Sequence, residues 1–244
     1  MEIRTERVSI PVGGAQMAGY LARPSDGKPR AGLLVYMEIF GVNAHIRDVV
    51  ERAAREGYVA LAPDYFHRTG PGIELGYDEA GMQEGMSHLA RLQADTMVED
   101  ARAAIAFLRA RADVTGKIGA MGFCIGGHMT YLTACETDVA AAASYYGGGI
   151  AAPQGPGGGR STVSRTPGIR GRIECYFGSR DAMIPMEQVE EVRRALAAAG
   201  TRSEVVVYDA DHGFHCDQRA SYDEAAARDA WRRTFAMFAE ELGG

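Results

Sequence analysis

The feature that most constrains the fold is an alternation of short apolar runs with segments of helical spacing. We predict strands at residues 31–37, 58–66, 117–123, 139–147, 172–179 and 203–209, and helices at 47–57, 95–111, 125–135, 186–200 and 223–242. Strands that alternate with helices favour a parallel sheet covered by helices. We therefore predict an α/β fold with a mostly parallel, twisted sheet and helices on both faces.

Two regions of the chain depart from this alternation of strands and helices. Residues 5–12 and 15–24 predict an antiparallel pair of strands at one edge of the sheet. Residues 147–171 are rich in Gly, Pro, Ser and Arg, which indicates a surface loop. No repeat or linker divides the chain, so we predict a single domain over residues 1–244.

Composition and charge exclude several classes of function. The net charge of −6 and the lack of a Lys/Arg cluster argue against nucleic-acid binding. No apolar run reaches the length of a membrane span, and the charged N-terminus lacks a signal-peptide core. We expect a cytoplasmic monomer or small homo-oligomer that acts on a small molecule. Neither a dinucleotide fingerprint nor a P-loop is present, so we expect no cofactor.

The segment Gly122–Gly126 has the spacing of the nucleophile elbow, G-x-S-x-G, with Cys124 in place of serine. The elbow needs a strand, a sharp turn and a helix, and small residues must flank the nucleophile. Gly122, Gly126 and Gly127 meet that need, and the helix N-terminus favours a thiolate. A buried structural thiol and a redox-active cysteine are the alternatives.

Two further residues follow the elbow in the order that this architecture requires, which is nucleophile, acid, histidine. Asp181 follows the apolar run 172–179, and His212 follows the run 203–209. Both positions lie beyond the carboxyl ends of strands, where open α/β sheets bind ligands. We predict that Cys124 attacks a carbonyl, that His212 handles the proton and that Asp181 orients His212. The N–H of Ile125 is the first predicted oxyanion donor.

With these motifs the chain resembles the dienelactone hydrolase family from about residue 8 to about residue 240. The resemblance rests on the segments Glu38–Asn43, Gly57–Tyr58, Pro63–Asp64, Gly122–Gly127 and His212–Phe214, together with Asp181. It implies an α/β-hydrolase fold and a Cys-His-Asp triad. It also implies that Glu38 takes part in activating the thiol and that Ile39 supplies the second oxyanion N–H. Tyr146, Phe40 and Phe214 are the predicted pocket residues.

The sequence departs from the family where substrate is bound. Enzymes that act on dienelactone carry arginines that grip its carboxylate, one of them a few residues after the catalytic histidine. Here no arginine follows His212 before Arg219, and none precedes Arg91 in residues 77–93. Arg219 and Arg68 are the candidate substitutes. We therefore predict a hydrolase of small carboxylic esters or lactones and leave the substrate open.

Several alternatives stay open. The pocket could act on other activated esters, including phosphoesters, or Cys124 could be a redox sensor paired with Cys216 or Cys135. Cys135 and Cys175 are interpreted as small buried side chains. His212, His215, Cys216 and Asp217 resemble a metal-ligand cluster, but we predict no metal because the triad uses His212. Met82, Met86 and Leu89 are placed at helical spacing to pack on the body or, alternatively, to form a lid.

Overall fold

The computed structural model describes residues 1–243 and contains one eight-stranded sheet. Its strands are β1 (Ile3–Val12), β2 (Ala15–Pro24), β3 (Arg30–Tyr36), β4 (Val59–Pro63), β5 (Val114–Phe123), β6 (Ala141–Tyr145), β7 (Arg172–Gly178) and β8 (Ser203–Tyr208). Their spatial order is β1-β2-β4-β3-β5-β6-β7-β8. The neighbouring pairs from β4 to β8 are parallel, and this confirms the predicted α/β class.

The N-terminal strands form the predicted antiparallel edge. β1 pairs with β2, and β2 pairs with β4, both antiparallel. The turn between β1 and β2 is Gly13-Gly14, with φ of 52° and 78°. Two consecutive residues with positive φ suit a tight hairpin turn, and glycine adopts that conformation without a steric penalty.

Helices cover both faces of the sheet. They are α1 (Ala44–Arg55), α2 (Glu79–Leu89), α3 (Ala94–Arg109), α4 (Ile125–Glu136), α5 (Met186–Ala198) and α6 (Glu224–Phe238). The crossover from β3 to β4 runs opposite in direction to the crossovers from β4 to β5 and onward. Right-handed crossovers therefore place α1 on one face and α3, α4 and α5 on the other.

The last helix, α6, returns to the face that carries α1. The guanidinium carbon of Arg52 lies 4.1 Å from the centre of the Trp231 ring. The rings of Tyr58 and Phe235 are 5.6 Å apart. The central strands β4 and β6 are buried along their whole length, as expected for parallel strands covered on both faces.

Two predicted segments differ from the structure. The region 147–171 is not simply a surface loop: Ile150, Thr162 and Thr166 are buried. The hydroxyl of Thr166 hydrogen-bonds that of Tyr131 in α4 at 2.6 Å. The Gly- and Pro-rich composition correctly predicted a loop. It did not predict that Thr162 and Thr166 would be buried and would hold the loop against the body.

The methionine-rich segment also packs differently from the prediction. Helix α2 buries Gly81, Gly85 and His88, whereas Met86 is 42% exposed. A Cβ added to Gly85 would lie 2.6 Å from the carbonyl oxygen of Ile39. The helix therefore approaches the body most closely through its glycines. Met82 and Leu89 also pack against the core, as predicted, and only Met86 departs from the prediction.

Within residues 1–243 there is no helix that combines the length and the hydropathy needed to cross a membrane.

A chain of buried hydroxyls joins α6 to the centre of the sheet. The hydroxyl of Tyr145 lies 2.6 Å from that of Thr234, and Thr234 donates to the Tyr176 hydroxyl at 3.2 Å. Tyr176 donates in turn to the buried carboxylate of Glu174 at 2.6 Å. The chain satisfies polar groups that the core would otherwise leave without partners.

We expect Thr234→Val to lower the free energy of unfolding by about 1–3 kcal/mol, because it leaves the buried hydroxyl of Tyr145 without its partner. Urea unfolding measures the effect. Thr234→Ser is the matched control, since it keeps the hydroxyl and loses only a methyl group. A serine variant as unstable as the valine variant would show that packing, rather than hydrogen bonding, is the contribution of Thr234.

Candidate active site

Cys124 sits at the turn between β5 and α4, as the elbow spacing predicts. Its backbone has φ 57° and ψ −122°, a conformation that L-residues rarely adopt. The Cys124 N–H donates to the carbonyl oxygen of Tyr145 at 3.1 Å, and the Cys124 carbonyl accepts from the N–H of His128 at 3.1 Å. These bonds hold the strained residue in place on both sides.

The glycines around Cys124 are needed because neighbouring backbone lies against them. A Cβ on Gly126 would come within 2.4 Å of the carbonyl oxygen of Tyr36, and one on Gly127 within 2.4 Å of that of Tyr145. A Cβ on Gly122 would lie 2.3 Å from the carbonyl oxygen of Gly126. A side chain at any of these positions would push α4 away from the sheet.

His212 and Asp181 meet across the ends of β7 and β8. Nδ1 of His212 donates to Oδ2 of Asp181 at 2.7 Å. The other carboxylate oxygen of Asp181 accepts the N–H groups of Met183 at 2.8 Å and Ile184 at 3.2 Å. The carboxylate is fully buried and held by three donors, so it fixes the orientation of the imidazole ring.

The opposite nitrogen of His212, Nε2, is buried and has no hydrogen-bond partner among residues 1–243. Burial lowers the pKa of His212, but the Asp181 hydrogen bond and the interaction with the Cys124 thiolate outweigh it and raise the pKa to about 10. Cys124 is thus close enough for its thiolate to favour the imidazolium.

The two predicted oxyanion donors are the backbone N–H groups of Ile39 and Ile125. Ile125 is the first residue of α4, so its N–H has no acceptor within the helix. Within the described residues, the Ile39 N–H makes no hydrogen bond to backbone or side chain. The segment that carries it is braced: Leu75 N–H donates to Phe40 O at 2.9 Å, and Tyr65 Oη–H donates to Met37 O at 2.6 Å.

Glu38 is buried in the same region and is paired with an arginine. Its Oε1 accepts from Nη1 of Arg219 at 3.2 Å, and its Oε2 has no partner within residues 1–243. The charges of Glu38 and Cys124 both act on Arg219 and on the Tyr146 hydroxyl. Arg219 passes so close to Gly213 that a Cβ there would lie 2.5 Å from its Nη1. The sequence analysis named both residues as candidates, but it could not predict that they form an ion pair.

The three predicted pocket aromatics, Tyr146, Phe40 and Phe214, are almost completely buried. The Tyr146 ring is 5.1 Å from the rings of both His212 and Phe214, and Phe40 packs on Tyr77 at 4.6 Å. The three rings pack against neighbouring aromatic side chains and are not among the residues that line the cavity at Cys124. Neighbouring rings cover them, and this burial keeps them out of the cavity.

The cavity that both Cys124 and His212 line has a volume of about 380 Å³. We call it the Cys124 cavity. Its walls come from Leu89 at the end of α2, from Ala90 and Leu92 just after it, from the segment 148–157 and from Met183. Apart from Leu89, a candidate lid residue, sequence reasoning missed these residues. The signal that could have found them is position, because segment 148–157 and Met183 follow strands whose ends carry the predicted site.

His128, one turn after Cys124, ties the cavity wall to α4. Its Nδ1 donates to Gly148 O at 2.8 Å, so Nε2 of the neutral ring accepts from the Thr162 hydroxyl at 2.7 Å. Burial lowers the pKa of His128 to about 4, which keeps the ring neutral.

Among residues 1–243, the other histidines and cysteines are not gathered into a metal-ligand cluster. No group of three or more His, Cys, Asp or Glu side chains in residues 1–243 has the geometry to hold a metal ion. His215 stacks on Phe123 with ring centres 4.8 Å apart. Cys135 and Cys175 are buried, as predicted for small apolar side chains. Burial raises the pKa of Cys216 to about 11 and that of Cys135 to about 12.

Comparison with known proteins identifies relatives along nearly the whole chain. The sequence model of the dienelactone hydrolase family matches residues 17–242. A provisionally named carboxymethylenebutenolidase of Synechocystis is 41% identical, covering 99% of each chain. A carboxymethylenebutenolidase of Pseudomonas sp. strain P51 is 29% identical, over 96% of this chain and 94% of its own. The crystal structure of a provisionally named dienelactone hydrolase from Klebsiella pneumoniae superposes with a TM-score of 0.89 at 34% identity, covering 98% of this chain and 100% of that one. The α/β-hydrolase fold is thereby confirmed.

The raised pKa of His212 predicts a specific dependence of stability on pH. Because the pKa is about 10 in the folded protein and about 6.5 when unfolded, the imidazolium stabilises the fold fully below about pH 6.5. This stabilisation is lost as the pH rises toward 10. In Asp181→Asn the main hydrogen-bond contribution disappears while burial remains, so the loss should shrink or reverse.

Urea unfolding of both proteins at pH 6, 8 and 10 measures the effect, since groups common to both cancel in the difference. His212→Gln, which removes the titrating group, should follow the asparagine variant. Parallel stability curves for the unmodified chain and Asp181→Asn would contradict the assignment.

Proposed function

The chain belongs to the dienelactone hydrolase family, and on that premise we propose that it is a cysteine-dependent hydrolase of small carboxylic esters or lactones. The proposal assigns Cys124 as nucleophile, His212 as acid and base, and Asp181 as the group that orients His212. The observation that carries it is the Asp181–His212 pair at 2.7 Å, whose free Nε2 shares a cavity with a thiol on a strained elbow.

In the first step, Cys124 transfers its thiol proton to Nε2 of His212, and the resulting thiolate attacks the ester carbonyl carbon and forms a C–S bond. The negative charge moves to the carbonyl oxygen, where the N–H groups of Ile39 and Ile125 stabilise it. As the tetrahedral intermediate collapses, the C–O bond to the alcohol breaks, and His212 donates its Nε2 proton to the leaving oxygen. The product is a thioester on Cys124.

In the second step, His212 takes a proton from a water molecule, which attacks the thioester carbonyl. The C–S bond then breaks, the acid leaves and Cys124 is regenerated as a thiolate beside a protonated His212. Acylation itself prepares this step. The thiolate is one of the groups that raise the pKa of His212, so its conversion into a neutral thioester makes His212 a better base.

Glu38 is proposed to control the thiol before substrate arrives. A buried carboxylate near Cys124 disfavours a second negative charge, and so keeps the thiol protonated and less open to oxidation. Two observations support this role: the charges of Glu38 and Cys124 both act on the Tyr146 hydroxyl, and Oε2 of Glu38 has no partner in the described chain.

The alternative of a redox sensor has less support. Such a sensor would need a resolving thiol, and burial keeps Cys216 and Cys135 protonated by raising their pKa values. A complete set of acid, histidine and candidate oxyanion donors also has no purpose in a simple thiol switch.

We expect Cys124→Ala to lower the turnover of phenyl butanoate by at least about 10³-fold, because it removes the nucleophile from the triad. Cys135→Ala is the matched control: it removes a buried thiol at the other end of α4 and should retain turnover. Acid quenching during turnover should trap the butanoyl group on Cys124, detectable by peptide mass spectrometry. Unchanged turnover in Cys124→Ala would refute the assignment.

We expect Glu38→Gln to favour the thiolate, because it removes a nearby negative charge and leaves the charge of Arg219 unneutralised. The acid limb of the kcat/KM profile should move to lower pH by about one unit, and inactivation by hydrogen peroxide should accelerate about tenfold. Glu38→Asp, which keeps the charge, is the control. If neither the pH profile nor the peroxide rate changes, Glu38 does not control the thiol.

A further inference from the structure

The wall that segment 148–157 contributes to the Cys124 cavity is built largely from backbone. Several of the residues through which it lines the cavity are glycines: Gly148, Gly149, Gly155 and Gly157. Glycine loses more conformational freedom on folding than any other residue, and it has no side chain that could pack the wall into place. The position of this wall therefore depends on the hydrogen bonds that hold its backbone.

Helix α4 starts next to the nucleophile and also anchors this wall. Nδ1 of His128 donates to the carbonyl of Gly148 at 2.8 Å, and Nε2 accepts from the Thr162 hydroxyl at 2.7 Å. One imidazole ring therefore holds the segment on both sides, since Gly148 begins it and Thr162 follows its end. The N–H of Val163 closes the same loop by donating to the carbonyl of Ile150 at 2.8 Å.

The His128 ring is buried and makes both bonds in one protonation state. The carbonyl of Gly148 can only accept, so the ring proton lies on Nδ1 and the lone pair of Nε2 faces Thr162. Burial lowers the pKa of His128 to about 4, so this neutral form persists throughout the neutral pH range. The Thr162 hydroxyl is itself completely buried, so water does not replace it as the donor.

The opposite wall of the cavity meets segment 148–157 directly. This wall contains Leu89, Ala90 and Leu92 and continues into Gln93. A Cβ added to Gly157 would lie 3.2 Å from both Cα and Cδ of Gln93. The two walls are therefore in contact at this point, and the space between them at the thiol depends on where segment 148–157 is held.

We propose, on the basis of the proposed function, that His128 is a positioning residue that fixes the width of the Cys124 cavity and so selects substrates by the bulk of the acyl group that stays on Cys124. The imidazole holds segment 148–157 against α4 through Gly148 and Thr162. Without the Thr162 bond the glycine-rich wall can move outward, so a slender acyl group fits less closely and a bulky one gains room. The proposed triad itself is unchanged.

Two phenyl esters test the proposal with phenol release as a common signal: slender phenyl butanoate and bulky phenyl cyclohexylacetate. Both carry a methylene group next to the carbonyl, so their intrinsic reactivities are similar. Thr162→Val removes the hydroxyl and keeps the shape of the side chain. We expect it to lower kcat/KM for the butanoate by about three- to tenfold, mainly through KM, and to raise the ratio of the bulky to the slender ester about tenfold. Thr162→Ser, which keeps the hydroxyl, should retain the original ratio.

A general loss of stability is separated from positioning by Thr234→Val, which removes a buried hydroxyl hydrogen bond elsewhere in the core. This variant should leave the ratio of the two esters unchanged. An unchanged ratio in Thr162→Val, or an equal rise in Thr234→Val, would overturn the proposal. So would a Thr162→Ser variant that behaves like Thr162→Val, because the hydrogen bond would then not be the cause.

Gln93→Ala provides a second test that leaves the buried bonds intact. Gln93 is exposed, so the variant should fold, and it removes the side chain that Gly157 faces. The bulky ester should again gain on the slender one, by about threefold or more. Gln93→Met, which is similar in length, should not change the ratio. Equal ratios in Gln93→Ala and Gln93→Met would contradict the assigned contact between the two walls.

The Cys124→Ala variant distinguishes failure of this proposal from failure of the proposed function. If Cys124→Ala hydrolyses both esters as fast as the unmodified chain, the proposed function fails, and the role of His128 fails with it. If Cys124→Ala is inactive but Thr162→Val keeps the original ratio of the two esters, only the role assigned to His128 is wrong.

Discussion

The close contact between helix α4 and the sheet is the constraint on which the site depends. Gly126 lies against the backbone carbonyls at the end of β3, and Gly127 lies against the carbonyl at the end of β6. With no Cβ at either position, the first turn of α4 approaches closely enough to force Cys124 into a positive φ. The thiol is thereby fixed at a helix N-terminus and on the wall of a cavity, where the helix dipole favours a thiolate.

Parallel strands then bring the other groups to the same edge of the sheet. Glu38 and Ile39 follow β3, Asp181 follows β7, and His212 follows β8. This arrangement explains how much of the site could be predicted. Strand ends can be recognised from local sequence, and parallel topology brings those ends together, so short motifs predicted a candidate set of residues that lie far apart in the chain.

The interactions that could not be predicted depend on side-chain direction or on tertiary packing. The pairing of Glu38 with Arg219 joins residues 181 positions apart, and nothing local to either specifies the partner. The spacing of Met82 and Leu89 correctly predicted that helix α2 packs on the body, but it did not show that the closest contact, at the carbonyl of Ile39, requires Gly85. In residues 147–171 composition predicted a loop correctly, yet Thr162 is buried because His128 needs a donor. Local sequence patterns predict helices and strands, whereas the side-chain contacts between them depend on how the helices and strands pack in three dimensions.

The pairing of Arg219 also bears on how arginines near an active site should be interpreted. A guanidinium that is already paired with a buried carboxylate binds a second carboxylate less strongly, because its charge is partly neutralised. Arg219 is largely buried and faces a buried carboxylate, so releasing it would leave Glu38 as an uncompensated charge. A substrate anion would have to replace that interaction as well as recover its own hydration. An arginine near a catalytic motif therefore has to be interpreted together with the groups that it already contacts.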